Sequence, residues 1–374
     1  MRLAEYSVRK KNPSEGDGAH GDSAGPLFCS LAEGTERTAR DFPLGKILLY
    51  TDEKAFARLG GFVRSPRAVS VVQDKADALP LFSMPDGIVC VVAAGNADIM
   101  RCARYFSEIR AVPCRLFPSE ASLCGTEEGK AFLPLGGKQT QYPLGGEEVY
   151  ADLGLMERSF ASAYAEILLF RLALFEEEAG RKLRGDKSDR APAADEAFRL
   201  CGYVSGKEEL SKETLVRVCV KLRRLRAEGA PQGEGAVLAQ TLAKDGDKDA
   251  AWRAYVLLSS LYAAFFRAGK PRRYVVPDYS ARRAACGEGA KPPIVPTAEE
   301  YARRAVALER VRGALTAEID SLVALRKRFA RIYRAFGGDD SPCSAAPLRY
   351  LPERCPDGLS AIIRDFGLME QDLP

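Results

Sequence analysis

Histidine is the residue that most often acts as a general base or a metal ligand near neutral pH. It occurs once in this chain of 374 residues, at His20, within a polar stretch near the amino terminus. The rest of the chain therefore has no Ser-His dyad and no histidine-based metal site. Any chemistry there must come from carboxylates, thiols, hydroxyls and basic side chains.

The composition indicates a globular protein that works in a reducing compartment. Hydrophobic residues make up 46% of the chain, and its length predicts two domains. The formal charge of +4 comes from dispersed charges, so neither nucleic acid nor a membrane is an expected partner. The ten cysteines form no Cys-x-x-Cys pair, and we find no apolar run of membrane-spanning length and no signal peptide. We expect a cytoplasmic protein.

Residues 44–153 alternate short apolar runs with helical patterns, which predicts an α/β domain with a Rossmann-like parallel sheet. Ligands of such sheets bind at the carboxyl ends of the strands. The predicted strands are residues 46–50, 68–72, 87–94 and 111–117. The residues at their carboxyl ends are Asp52, 95–98 and 119–125.

Residues 154–374 show helical patterns and no convincing strand, which predicts an all-α domain. Residues 159–178 are apolar nearly all round, so we expect a buried central helix there. Thr297 and Glu300 match a capping box that opens a long helical stretch. Residues 1–43 are predicted to be a polar leader that is partly disordered.

Several segments in a fixed order resemble the superfamily of iron-dependent alcohol dehydrogenases and dehydroquinate synthases. They are the turn at Gly95, the link at Val112 and Pro113, and the segments 118–125, 252–258 and 276–282. Within the superfamily they are most similar to the sn-glycerol-1-phosphate dehydrogenase branch. The resemblance implies a dehydroquinate synthase-like fold, a dinucleotide cofactor and a zinc or iron ion.

The cofactor turn of this family is rich in glycine, which lets backbone amides approach the dinucleotide pyrophosphate. Only the first glycine, Gly95, is present in this chain, followed by Asn96 and Ala97. Asp98 stands where the family has serine. We expect Asp98 to cap the following helix and to repel a pyrophosphate.

Other positions of the family's cofactor site are partly kept. Asp52 resembles the residue that binds a ribose hydroxyl, although an ordinary N-cap explains it equally well. Ser119 and Ser122 align with hydroxyls that face the nicotinamide, and Cys124 replaces an aspartate, where we expect an unreactive thiol. Asp52, Gly95, Asn96, Ser119 and Ser122 are therefore the candidate cofactor-binding residues.

The family's metal ligands are one aspartate and two histidines. Here Glu166 aligns with the aspartate, Ala239 or Gln240 with the second ligand, and Trp252 with the third. Ala and Trp donate no lone pair to a metal. The resemblance therefore leads us to expect no metal ligand and no catalytic residue. Zinc or iron is not expected, and no cofactor is expected, although NAD stays open.

Glu166 needs another explanation if it binds no metal. We expect a buried ion pair with an arginine of a nearby helix, such as Arg171 or Arg253, with Trp252 filling the space of the lost metal. The other interpretation is that Glu166 acts as a base.

The sequence thus predicts a degenerate relative of glycerol-1-phosphate dehydrogenase, a pseudoenzyme without dehydrogenase activity that keeps a cleft for a small molecule or nucleotide. Two alternatives stay open. One is an active NAD(P)-dependent polyol or polyol-phosphate dehydrogenase, and the other is a lyase or isomerase that uses Glu166. A homo-oligomer also stays open.

Overall fold

The computed structural model describes residues 26–126, 129–144, 147–186, 188–287 and 289–367. His20 and residues 1–25 of the predicted leader lie outside these ranges. The remainder of that leader is part of the fold, because it contains a strand, β1 (Leu27–Phe28), and a helix, α1 (Leu31–Asp41). Ser30 and Glu33 form a capping box that starts α1, a local signal for the helix.

The remaining strands are β2 (Lys46–Thr51), β3 (Ala68–Val72), β4 (Ile88–Gly95), β5 (Cys114–Pro118), β6 (Gly129–Leu135), β7 (Lys138–Leu144) and β8 (Glu148–Ala151). Six of them form a parallel sheet in the order β1-β8-β5-β4-β2-β3. The continuous apolar run of β4 is typical of a central strand that is covered on both faces. β6 and β7 form a separate antiparallel hairpin.

Two helices cover the sheet and start at the carboxyl ends of its strands. They are α2 (Glu53–Phe56), which follows β2, and α3 (Ala97–Arg110), which follows β4. α3 packs on β4 and β5 and carries the β6–β7 hairpin on its outer side. The ends of β2, β4 and β5 therefore lie side by side at one edge of the sheet, as predicted.

The second half is helical. Its helices are α4 (Phe160–Arg184), α5 (Pro192–Ser205), α6 (Lys212–Ala227), α7 (Gly233–Lys244), α8 (Ala250–Ala268), α9 (Ser280–Cys286), α10 (Ala298–Ala324), α11 (Arg326–Ala335), α12 (Leu351–Arg354) and α13 (Leu359–Asp365). α4 is the predicted central helix and contacts α5, α6, α7, α8, α10, α11 and α13. The capping box of Thr297 and Glu300 opens α10, as predicted.

The segment 276–282 has a structural role. The Tyr279 hydroxyl donates to Asp365 at 2.6 Å, and Arg282 Nε donates to Glu353 at 2.8 Å. Glu353 is almost fully buried, and Arg364 also pairs with it. One of the segments that carries the family resemblance therefore fixes the carboxyl-terminal helices to the rest of the domain.

The architecture confirms the predicted fold class of an α/β domain followed by an α-helical domain. In the part of the chain that the structure describes, no helix is long and apolar enough to cross a membrane.

Candidate functional site

Asp52 and Gly95 meet at the carboxyl edge of the sheet. Asp52 caps α2, since its Oδ1 accepts a hydrogen bond from the Ala55 amide at 2.8 Å. Its Oδ2 faces Gly95, where an added Cβ would lie only 2.6 Å from that oxygen and where φ is +143°. Glycine is thus required at position 95 for both space and conformation. The N-cap explanation of Asp52 is confirmed, and its contact with a ribose stays a prediction.

Asn96, and not Asp98 as predicted, is the cap of α3. Asn96 Oδ1 accepts hydrogen bonds from the amides of Asp98 and Ile99 at 3.0 and 3.1 Å. Asp98 lies in the first turn and pairs with Arg101 at 3.1 Å. Asn96, two residues before Asp98, is the cap because the side chain of an N-cap reaches the amides two and three residues ahead. A pyrophosphate bound to these two amides would have to displace the Asn96 side chain.

The loop after β5 joins the sheet to the helical domain. The Ser119 amide donates to the Gly95 carbonyl at 2.7 Å, so Ser119 lies beside the cofactor turn. The Ser159 hydroxyl, just before α4, accepts from the Ala121 amide at 2.8 Å. Ser122 faces away from the turn, and its hydroxyl lies 3.4 Å from Cys124 Sγ.

A small cavity of about 30 Å³, roughly the volume of one water molecule, lies where this loop meets α4 and α6. Its polar lining comes from Ser122 in the loop, Glu166 in α4, and Cys219, Arg223 and Arg226 in α6. Its apolar lining comes from Ala163, Ile167, Phe170 and Leu222.

Glu166 and Arg226 carry opposite charges in this cavity without forming an ion pair. Within the described ranges, neither side chain has a hydrogen-bond partner, and Arg226 Nε is buried. Burial raises the pKa of Glu166, an effect that the charges of Arg226 and Arg223 oppose. Burial also lowers the pKa of Arg226. Two charges held close but unpaired leave room for a polar group between them.

Arg223 and the thiols complete the cavity. Arg223 Nη2 donates to Cys124 Sγ at 3.2 Å and so fixes the loop to α6. Burial raises the pKa of both Cys124 and Cys219. Both groups are therefore thiols near neutral pH, which agrees with the expectation of an unreactive Cys124.

The predicted ion pairs of Glu166 with Arg171 or Arg253 are wrong. Arg171 pairs with Glu318 at 3.3 Å, and Arg253 pairs with Asp247 at 2.9 Å. The sequence offered several arginines at similar distances along the chain, and only the packing of α6 against α4 decides which of them faces Glu166.

The positions aligned with the second and third metal ligands do not contribute to the cavity of Glu166. Ala239, Gln240 and Trp252 are absent from its lining. Trp252 stacks on Tyr333 of α11, with ring centroids 4.7 Å apart, inside the helical core. That Trp252 fills the space of a lost metal stays a prediction.

Sequence reasoning missed the contribution of α6. Cys219, Arg223 and Arg226 follow a spacing of four and then three residues, which places them on one face of a helix. The basic run 221–226 alternates with apolar residues, a pattern that by itself predicts a solvated face of an amphipathic helix. The helical face shared with a buried cysteine was the signal that could have identified these arginines.

The described residues do not fit a metal ion at this point of the fold. Glu166 is the only carboxylate in the lining of the cavity. In the described ranges as a whole, no group of three or more His, Cys, Asp or Glu side chains is arranged to hold a metal.

Comparisons with known proteins found similar solved structures but no similar sequence. No family model and no curated protein matches its sequence. Its structure is similar to an alcohol dehydrogenase from Oenococcus oeni, with 12% identity, coverage of 92% of this chain and 98% of that chain, and a TM-score of 0.48. An iron-containing alcohol dehydrogenase from Corynebacterium glutamicum gives 13% identity, 95% and 97% coverage and a TM-score of 0.47. A glycerol dehydrogenase from Schizosaccharomyces pombe gives 12% identity, coverage of 86% of this chain and 94% of that chain, and a TM-score of 0.46.

From the sequence we expect no cofactor and neither zinc nor iron, and these comparisons correct that expectation. That expectation is wrong, because the similar structures are dehydrogenases and one of them is iron-containing. The physical reason for the error lies in the alignment. It inferred an absent metal from Ala239, Gln240 and Trp252, none of which lines the cavity of Glu166.

The predicted resemblance itself is confirmed at the level of the fold. This chain has a parallel sheet followed by a helical domain, the architecture that the resemblance implies. The similarity to the solved structures concerns the fold alone.

Proposed function

We propose that the protein binds a small hydroxylated molecule with an acidic group, such as a polyol phosphate, between Glu166 and Arg226. The observation that carries this proposal is the pair of opposite charges that face one cavity without pairing. Arg226 Nε is buried without a hydrogen-bond partner, which is costly, so a ligand that accepts a hydrogen bond from it would be bound favourably.

The chemistry of the two side chains matches such a ligand. A guanidinium donates paired hydrogen bonds to phosphate or carboxylate oxygens, and the Arg226 guanidinium is held over the Phe170 ring at 4.7 Å. Glu166 would accept a hydrogen bond from a ligand hydroxyl, with the Ser122 hydroxyl beside it. The cavity must widen to admit more than the polar end of the ligand, which the loop of Ser122 would have to permit.

Proton transfer by Glu166 is the second candidate, because burial raises the pKa of this carboxyl toward neutrality. A ligand with an acidic carbon next to a carbonyl, anchored by Arg226, would bring a proton to Glu166. The protein would then act as an isomerase or lyase.

An NAD(P)-dependent polyol dehydrogenase is the third candidate, favoured by the meeting of Asp52 and Gly95 at the carboxyl edge of the sheet. The absence of dehydrogenase activity and the glycerol-1-phosphate branch both stay predictions. Spectrophotometric formation of NADH or NADPH from glycerol or sn-glycerol 1-phosphate, with and without added zinc or iron, tests both of them. Turnover would contradict the loss of activity.

Calorimetric titration with sn-glycerol 1-phosphate and with glycerol tests the binding proposal. We expect the phosphate to bind and glycerol to bind at least about tenfold more weakly, since only the phosphate satisfies Arg226. The variant Arg226→Gln should lose about tenfold or more in affinity for the phosphate.

Arg224→Gln is the matched control, because Arg224 lies on the same helix but is 61% exposed and pairs with Glu228. It should bind like the unmodified protein. Equal binding by the unmodified protein and Arg226→Gln would contradict the proposed site.

A further inference from the structure

A second buried cluster of ionisable side chains, which includes a residue of α4, lies outside the site described above. Glu176 and Glu234 are both more than nine-tenths buried, and the Tyr262 hydroxyl lies between them. The hydroxyl oxygen is 2.9 Å from Glu176 Oε1 and 3.2 Å from Glu234 Oε2. The three residues come from α4, α7 and α8, so the cluster joins three helices.

The number of hydrogens in this cluster limits the hydrogen bonds that it can form. A phenol has one hydrogen and can donate to one carboxylate. The remaining contact is a hydrogen bond only if the other carboxyl carries a proton and donates it to the phenol oxygen. The outer oxygens are already bonded, since Glu176 Oε2 accepts from the Glu234 amide at 2.7 Å and Glu234 Oε1 accepts from the Ser360 amide at 2.9 Å.

The cluster borders a cavity of about 290 Å³ between α4, α7 and the C-terminal segment, by which we mean residues 355–367. Besides Glu176 and Glu234, the ionisable side chains in the lining are Glu177 and Arg184 of α4, Lys291 of the loop before α10, and Cys355 and Asp357 of the C-terminal segment. Neither Arg184 nor Lys291 forms an ion pair with Glu176 or Glu234.

Glu234 is the link to the C-terminal segment. Besides the bond from the Ser360 amide, its carboxylate packs directly on Gly358, where an added Cβ would overlap Oε1. Glu176 lies on the opposite side and holds the Glu234 amide. Glu234 therefore cannot retreat from Glu176 without pushing against the segment that carries α13.

We propose that one proton shared among Glu176, Tyr262 and Glu234 locks the C-terminal segment onto α4 and α7, and that loss of this proton at alkaline pH loosens the segment. With the proton, each oxygen of the cluster has a partner. Without it, two carboxylates face one hydroxyl in a desolvated place, and their repulsion moves Glu234 against Gly358.

The electrostatics agree with the geometry. Burial raises the pKa of Glu176, and the negative charge of Glu234 raises it further. Burial also raises the pKa of Glu234, to about 7, against the effect of its bonds to Ser360 and Tyr262. A carboxyl with a raised pKa in the folded state favours folding less as pH rises, so the lock is closed in mild acid and weakens above neutrality.

Hydrogen exchange of the full chain, measured by mass spectrometry at about pH 6 and about pH 8.5, tests the proposal. The key variant is Glu176→Gln, because the amide keeps the shape and permanently supplies the donor that the protonated carboxyl supplies. Comparison of the two proteins at the same pH cancels the intrinsic pH dependence of exchange.

At about pH 6 we expect amides 358–366 to exchange equally in the two proteins, and at about pH 8.5 to exchange about tenfold faster in the unmodified protein. Glu177→Gln is the control, since Glu177 lines the same cavity and does not bond to Tyr262, and it should behave like the unmodified protein. If the ratio of the exchange rates of the two proteins were the same at both pH values, the proposal would be overturned.

Infrared spectroscopy of the unmodified protein tests the shared proton even if Glu176→Gln does not fold. We expect the stretch of a protonated carboxyl to persist near neutral pH and to disappear as pH rises. In Glu234→Gln the band should disappear at a lower pH, because the charge of Glu234 no longer raises the pKa of Glu176. A neutral-pH spectrum without a protonated carboxyl would overturn the proposal.

Discussion

Two glutamates on α4, ten residues apart, show two ways in which a protein holds a carboxyl away from water. Glu166 faces Arg226 and Arg223 across a small cavity and bonds to nothing in the described ranges. Glu176 is fully bonded to Tyr262 and the Glu234 amide. Burial raises the pKa of both carboxyls. The comparison teaches that a raised pKa alone does not identify a binding site, whereas a charge without a partner suggests one.

The largest expected effect comes from removing Glu176. Glu176→Ala leaves a cavity, frees the Glu234 amide in the first turn of α7 and leaves the Tyr262 hydroxyl with one partner. We expect the free energy of unfolding, measured by urea denaturation, to fall by about 3 kcal/mol. Glu177→Ala serves as the control and should cost much less. Similar losses in the two variants would mean that the cluster is not a structural unit.

Gly358→Ala should have the next largest effect. The added methyl overlaps the Glu234 carboxylate, and either the C-terminal segment or Glu234 must move. We expect a loss of about 2 kcal/mol by urea denaturation. In Gly202→Ala on α5 the methyl meets open space, so that variant should be neutral or slightly stabilising. A neutral Gly358→Ala would show that Glu234 and the segment move independently.

The dependence of stability on pH should differ between the unmodified protein and Glu234→Gln. The pKa of Glu234 rises from 4.5 to about 7 on folding. Its contribution to stability is therefore fully present below about pH 4.5 and is lost as pH rises through about 7. Relative to Glu234→Gln, the unmodified protein should lose on the order of 3 kcal/mol over this interval, by urea denaturation at each pH. Parallel curves for the two proteins would contradict the raised pKa.

The smallest expected effect comes from Glu166→Gln. Glu166 has no partner in the described ranges, so its neutral analogue should change the free energy of unfolding by less than about 0.5 kcal/mol. Its effect should appear in ligand binding. A loss above about 2 kcal/mol would show instead that Glu166 balances a buried arginine and would remove the contrast with Glu176.

Much of the fold could be predicted because its elements have strong local signals. The apolar runs 46–50 and 87–94 are the central strands β2 and β4, and the apolar run 159–178 begins the central helix α4. The hairpin of β6 and β7 was missed, because residues 138–144 are mostly polar and exposed and have no apolar alternation. α1 was assigned to the leader, although the capping box of Ser30 and Glu33 marks its start.

The site could be predicted only in part. Strand ends in a parallel sheet meet at one edge, so the proximity of Asp52 and Gly95 followed from the topology. The side chains that face Glu166 could not be predicted, because α6 contacts α4 through packing that no short-range pattern encodes. The alignment of the metal-ligand positions has a related limit. It assigns residues to family positions but does not fix which faces of the helices meet.

The stacking of Trp252 on Tyr333 makes the chain its own optical probe. Trp252 is the only tryptophan in the sequence and is 2% exposed. Its ring lies within the core of α8 and α11, away from the cavity of Glu166. Its fluorescence therefore reports the integrity of the helical domain. A titration that released heat of binding without changing the tryptophan emission would show that the ligand binds without disturbing the packing of α8 against α11.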